Sequence, residues 1–266
     1  MDILKRNNIK LFGHGDKVMM FAHGFGCDQN MWRFITPAFE NEYKVVLFDH
    51  VGSGHSDLSA YSSTKYNHLQ AYANDILEIC YALKLKHVTF VGHSVSAMVG
   101  ALAAIKDSEM FDQIIMISPS PCYINDKNYT GGFSREDIEG LLHSMDSNYL
   151  GWSSTVAPII VGNSQTPELG EELTNSFCAS DPEISKNFAK VTFTSDNRAD
   201  LSKLKTPSLI LQCSDDVIAP LEVGHYLAKN LINNKLVIMS ATGHCPNLSA
   251  PEETIQHIKE YLNSAE

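Results

Sequence analysis

Short unbroken apolar runs recur along the chain at Val18 to Ala22, Val45 to Phe48, Val88 to Val91, Ile114 to Ile117, Leu209 to Leu211 and Leu236 to Met239. They do not alternate with polar residues, as half-exposed strands do. Each therefore predicts a strand covered on both faces, and together they predict a largely parallel sheet. Helical periods lie between them: Leu69, Tyr72, Ile76, Cys80 and Leu83 recur every three or four positions, and Ile255, Ile258 and Leu262 do so after Pro251, a residue favoured in a first turn. Alternating strand and helix predicts a doubly wound α/β sheet whose ligands bind beyond the carboxyl ends of the strands.

The stretch from Pro121 to Ser195 departs from this rhythm. It has no strand pattern but carries helical stretches at roughly 135–148, 150–161, 168–177 and 182–194, and the strand pattern resumes after Pro207. The expected division is a core formed by 1–120 and 196–266, with 121–195 inserted as a helical lid.

Composition narrows the function. With 266 residues and 44% hydrophobic content the chain can bury a large core, and its formal charge of −11 argues against nucleic acid or an anionic membrane as partner. Ten acidic and four basic residues fall in 121–195, so more than half of the excess negative charge belongs to the inserted stretch. Solubility explains this simply; steering of a basic partner surface is the alternative. The six cysteines, at 27, 80, 122, 178, 213 and 245, never form CxxC, and no run approaches the roughly 20 apolar residues of a membrane span. The opening MDILKRNNIK has no apolar run behind its basic residues. A cytoplasmic protein with free, mostly buried thiols is expected.

The sharpest chemical signal is HVTFVGHSVSAMVGALAAI. A strand leads through Gly92-His93-Ser94-Val95-Ser96 straight into an Ala-rich helix, the context of a nucleophile elbow with Ser94 as nucleophile. Ser96 departs from the glycine of G-x-S-x-G but is small; an ordinary serine N-cap is the bland alternative. A serine needs a base, and the base needs an orienting acid. SLILQCSDDVIAP places Asp215 and Asp216 just past one strand and KLVIMSATGHCPNLS places His244 just past the next, in the chain order Ser, Asp, His. Asp216 is preferred because Asp-x-x-x-Pro, ending at Pro220, is the usual form of this loop in α/β hydrolases. His23-Gly24-Phe25-Gly26 follows the first apolar strand, suiting a loop whose Phe25 N–H joins that of Val95 to hold an oxyanion. Gly52 to Asp57 begins like a dinucleotide fingerprint but lacks its ending, and is expected to be a packing loop. Cys245, beside His244, is read as incidental rather than as a redox switch.

These residues resemble the α/β hydrolases over essentially the whole chain. The closer resemblance is to the RsbQ-like bacterial stress regulators and the plant receptors for karrikins and strigolactones, carried by HGFGCDQNMW, VVLFDHVGSGHSD, FVGHSVSAM, SPSPCYIND with YTGGF, and SLILQCSDDVIAP with GHCPNLS. The resemblance implies a Ser94, Asp216, His244 triad under a helical lid and a small apolar pocket lined by Phe25, Tyr123, Phe133, Trp152 and Phe193. It also implies a phosphatase partner carrying a PAS domain, acting to activate a general-stress sigma factor. The leading expectation is a regulatory serine hydrolase that takes a small hydrophobic ester-like or lactone-like ligand and, working with side chains and backbone alone, needs no metal or organic cofactor. A stand-alone carboxylesterase or C–C bond hydrolase would use the same triad, and a binding module with incidental turnover is the reading from another class.

Overall fold

The computed structural model describes residues 2–162 and 166–265; residues 163–165, inside the expected insertion, lie outside the described residues. The chain runs α1 (Ile3–Arg6), β1 (Lys10–Phe12), β2 (Lys17–Ala22), β3 (Tyr43–Phe48), α2 (Leu69–Ala82), β4 (Val88–His93), α3 (Val95–Lys106) and β5 (Phe111–Ile117). Four helices follow: α4 (Arg135–Ser147), α5 (Tyr149–Val161), α6 (Pro167–Ala179) and α7 (Pro182–Thr194). The chain then returns through β6 (Ser208–Asp215), α8 (Leu221–Asn230), β7 (Asn234–Thr242), α9 (Pro246–Ser249) and α10 (Pro251–Ala265).

Among the described residues, seven strands form one sheet in the order β1-β3-β2-β4-β5-β6-β7. Every neighbouring pair is parallel except β1 against β3. Successive side chains point to opposite faces, and both faces are buried. Met20, Val46, Phe90 and Ile114 join the core under α2 and α3, whereas Met19, Val45, Val91 and Ile115 join a second core that also takes in residues of α4–α7 and α10. This is why these strands are written as continuous apolar runs. Two edges depart from the pattern. β1 has no apolar run, because Lys10 and Leu11 are exposed. β7 is an edge strand with Ile238 42% exposed, so the expectation of cover on both faces fails there.

The helices between β5 and β6 start on local signals. Ser134 and Asp137 form a reciprocal capping box at α4, and Asp181 caps α7 by accepting from the Glu183 and Ile184 N–H groups ahead of Pro182. Asn148 caps α5, which ends at Gly162 in the left-handed conformation. Among the described residues no helix is long and apolar enough to cross a membrane.

α3 lies so close to β4 that a side chain has no room at position 100: a Cβ on Gly100 would come within 2.2 Å of the buried Phe90 ring. Gly100→Ala is expected to cost about 1–3 kcal/mol of stability by overpacking this contact, read as a lowered midpoint in urea unfolding with an unchanged slope.

Candidate active site

β4 is buried at every position, and one residue, Ser94, joins it to α3. Reversing the chain in so short a space forces Ser94 to φ +56°, ψ −124°, a conformation costing on the order of 1–3 kcal/mol for a residue with a side chain. The surroundings enforce it. The Ser94 N–H donates to the Ile117 carbonyl of β5 at 2.8 Å, and Gly92 leaves the space into which α3 folds back, since a Cβ there would lie 2.5 Å from the Ser96 carbonyl oxygen.

The loops after β6 and β7 bring two further side chains to Ser94. Its hydroxyl lies 2.7 Å from His244 Nε2, and His244 Nδ1 donates to Asp216 Oδ2 at 2.8 Å. The other carboxylate oxygen, Oδ1, accepts from the N–H groups of Ile218 and Ala219 at 2.8 and 3.1 Å. This accounts for the Asp-x-x-x-Pro spacing: the turn leading to Pro220 supplies backbone donors that fix the carboxylate. Asp216 is buried, whereas Asp215 is exposed and takes part through its carbonyl, which accepts from Gly243 N–H at 2.7 Å. The His244 N–H in turn donates to the Ile160 carbonyl of α5 at 2.9 Å, and Gly243, at φ +81°, packs so closely on Val161 that any Cβ would overlap the Val161 carbonyl.

His23-Gly24-Phe25-Gly26 leaves β2 and runs alongside the elbow. A Cβ at Gly24 would lie 2.5 Å from His93 Nδ1 and 3.4 Å from Ser94 Cβ, so the bare backbone abuts the serine. The Val95 N–H is the first amide of α3 and has no partner within the helix by construction. The Phe25 ring packs against Trp152, Phe177, Phe188 and Phe193, which come from α5, α6 and α7. Two polar contacts reinforce that junction: Ser176 Oγ donates to the Gly26 carbonyl at 2.6 Å, and Arg33 forms a bidentate pair with Glu172 at 2.8 and 2.6 Å.

A cavity of about 30 Å³ opens over Ser94 and His244. Of the aromatic residues expected to line it, Phe25, Tyr123 and Phe193 do so, with the Tyr123 hydroxyl 3.5 Å from Ser94 Oγ. Trp152 and Phe133 are not among the lining residues. Trp152 is stacked on Phe177 behind Phe25, and Phe133 is held in a bridge to Ile124. Cys27, Ile160, Leu173, Thr192 and Ile218 complete the walls; no motif marks such residues, because each is an ordinary apolar or small residue until the fold assembles. Cys245 also lines the cavity, and burial pushes its thiol well above the usual range, away from the reactive thiolate. Gly52 to Asp57 is a packing loop, its His55 N–H donating to the buried Asp49 carboxylate at 2.9 Å.

Two further histidines, His93 in the cavity wall and His50 behind it, are buried. His93 Nε2 donates to the His244 carbonyl at 2.7 Å, and burial next to His244 pushes its pKa down to about 3; burial next to His23 also lowers that of His50 well below the ordinary value. A histidine whose folded pKa is depressed stabilises the fold fully above its unfolded pKa of about 6.5, and that contribution is lost as pH falls below it, because the unfolded chain takes up the proton first. Unfolding free energy is thus expected to decline from pH 6.5 toward pH 4. His93→Gln should flatten that decline by up to about 1.4 kcal/mol per pH unit in denaturant titrations at pH 4, 5 and 6.

Comparison with known proteins agrees with this architecture. A family model for the alpha/beta hydrolase fold matches residues 17–251. The chain is 36% identical over 262 residues to strigolactone esterase D14 of Arabidopsis thaliana, with 98% of each protein covered. It is 34% identical over 258 residues to karrikin insensitive 2 receptor CA of Petunia hybrida, covering 97% of this chain and 96% of that receptor. A solved hydrolase from Oleispira antarctica matches it with a TM-score of 0.96 at 44% identity, over 98% of this chain and 96% of the other. The chain belongs to the α/β-hydrolase family.

Proposed function

We propose that the protein is a serine hydrolase acting on a small hydrophobic ester or lactone, with Ser94 as nucleophile, His244 as general base and acid, and Asp216 holding the imidazole. The observation that carries this reading is the continuous hydrogen-bonded chain from Ser94 Oγ through both His244 nitrogens to Asp216, set on a strained elbow. Ser94 Oγ attacks the carbonyl carbon as its proton passes to His244 Nε2. The negative charge that develops on the carbonyl oxygen is held by the Phe25 and Val95 N–H groups. When the tetrahedral species collapses, the ester C–O bond breaks and His244 returns the proton to the leaving oxygen; water, deprotonated by His244, then attacks the acyl-serine and releases the acid and free Ser94. For a lactone the leaving oxygen and the acid stay in one molecule.

The apolar lining of the cavity favours an apolar ligand. A volume of about 30 Å³ holds a water or two, well short of the several hundred Å³ typical of ligand pockets, so productive binding calls for displacement of part of the cover. Helices α4–α7 are proposed as that cover, a lid on a core formed by the rest of the chain. Two similar proteins that bear receptor or esterase names support a ligand-responsive hydrolase. The RsbQ-like part of the proposal, a cytoplasmic regulator working with a PAS-domain phosphatase upstream of a general-stress sigma factor, rests on the sequence resemblance alone.

With p-nitrophenyl acetate as probe, Ser94→Ala is expected to abolish measurable turnover and Asp216→Asn to lower kcat about 10³- to 10⁴-fold with the fold intact. Activity retained in Ser94→Ala would overturn the assignment. The regulatory part is tested separately by affinity purification of the tagged chain from stressed cells. Recovery of a PAS-domain phosphatase is the expected result, and its absence beside Ser94-dependent turnover would leave a stand-alone esterase.

A further inference from the structure

Ser96 occupies the elbow position where the motif has glycine, and its hydroxyl is put to use. The residue is fully buried in the first turn of α3. Its Oγ donates to the main-chain carbonyl of His23 and lies 2.7 Å from His50 Nε2. A carbonyl only accepts, so the hydroxyl proton is committed to His23 and Oγ accepts the Nε2–H of His50. The same logic fixes His23: its Nδ1 lies 2.8 Å from the Gly24 carbonyl and therefore carries the proton, leaving Nε2 to accept the backbone N–H of His50 at 3.1 Å. Each proton of this buried relay has one place to go.

The relay ends at the peptide that matters. The Gly24 carbonyl and the Phe25 N–H belong to one planar unit, so holding the oxygen sets the direction of the N–H. His23 Nδ1–H holds that oxygen from one residue away, and the Cys27 N–H adds a longer bond at 3.3 Å. The His23 carbonyl, on the preceding peptide, is held by Ser96. Both peptides before the Phe25 α-carbon are thus fixed by a network that starts at His50 and passes through Ser96 and His23.

We propose that Ser96 and His50 are positioning residues for oxyanion stabilisation: together they lock His23, and through it the peptide that presents the Phe25 N–H to the substrate oxygen. This rests on the hydrolase reading above. Removing the Ser96 hydroxyl leaves the His23 carbonyl and the His50 Nε2–H buried without each other's bridge, so the loop relaxes to find new partners. The interaction lost is one that strengthens as charge develops, so the cost falls on kcat rather than on KM.

The test uses the full chain, p-nitrophenyl acetate and a boronic acid that forms a tetrahedral adduct with Ser94. Ser96→Ala and His50→Leu are each expected to lower kcat about 10- to 30-fold, below the full loss of an oxyanion donor, with KM within about twofold. Boronate affinity should fall in parallel. His50→Gln, whose amide donates to Ser96, should recover to within about threefold of the parent, and the double variant Ser96→Ala/His50→Leu should be no slower than the slower single variant. If Ser96→Ala does not fold, the His50→Leu and His50→Gln pair makes the same comparison from the other end of the bond. Turnover that depends on Ser94 but is unchanged in Ser96→Ala or His50→Leu would overturn the positioning role alone. So would losses that multiply in the double variant, or a kcat loss without weaker boronate binding. Turnover that survives Ser94→Ala would overturn both readings.

Discussion

One residue joins the central strand to the helix that packs against it, and that constraint shapes the site. β4 ends at His93 and α3 begins at Val95, so Ser94 alone turns the chain. The turn is possible because Gly92 gives α3 a bare strand to fold onto, because Gly100 lets the helix lie down on Phe90, and because the Ser94 N–H is tied to β5. Strain at one residue is thus held by the packing of α3 on β4 and by the bond to β5. Parallel strands then deliver the remaining parts: the carboxyl ends of β2, β6 and β7 lie at the same end of the sheet as that of β4, so their loops converge on the hydroxyl without any need for closeness in sequence.

Around this point the protein works with oriented dipoles. Asp216 meets two backbone N–H groups and one imidazole N–H. His23, His50 and His93 each place a ring N–H on an oxygen, and burial lowers the pKa of His50 and His93. A site built from fixed neutral donors needs little reorganisation when charge appears on a substrate, which is the condition under which such donors are most effective.

What was legible in the sequence follows from this physics. The strands of the sheet interior announced themselves because burial on both faces removes polar residues, and the elbow did so because its steric limits leave few side-chain choices. The Asp216 and His244 positions were legible because each lies one short loop beyond a readable strand. β1 and the exposed Ile238 were not, because an edge strand obeys no strong burial rule. Nor was the fate of Trp152, since an aromatic residue on a covering helix can face the cavity or a neighbouring ring, and only the assembled packing against Phe177 decides. Ser96 and His50 were illegible for a different reason: a hydrogen bond between positions 46 residues apart leaves no local pattern.

The bond from the His244 N–H to the Ile160 carbonyl has a mechanical meaning. The helix that helps to roof the cavity is also a strut for the loop that presents the imidazole, with Gly243 wedged against the same helix end. α5 thus serves the site twice, as part of the cavity wall through Ile160 and as the support of the loop that carries the imidazole.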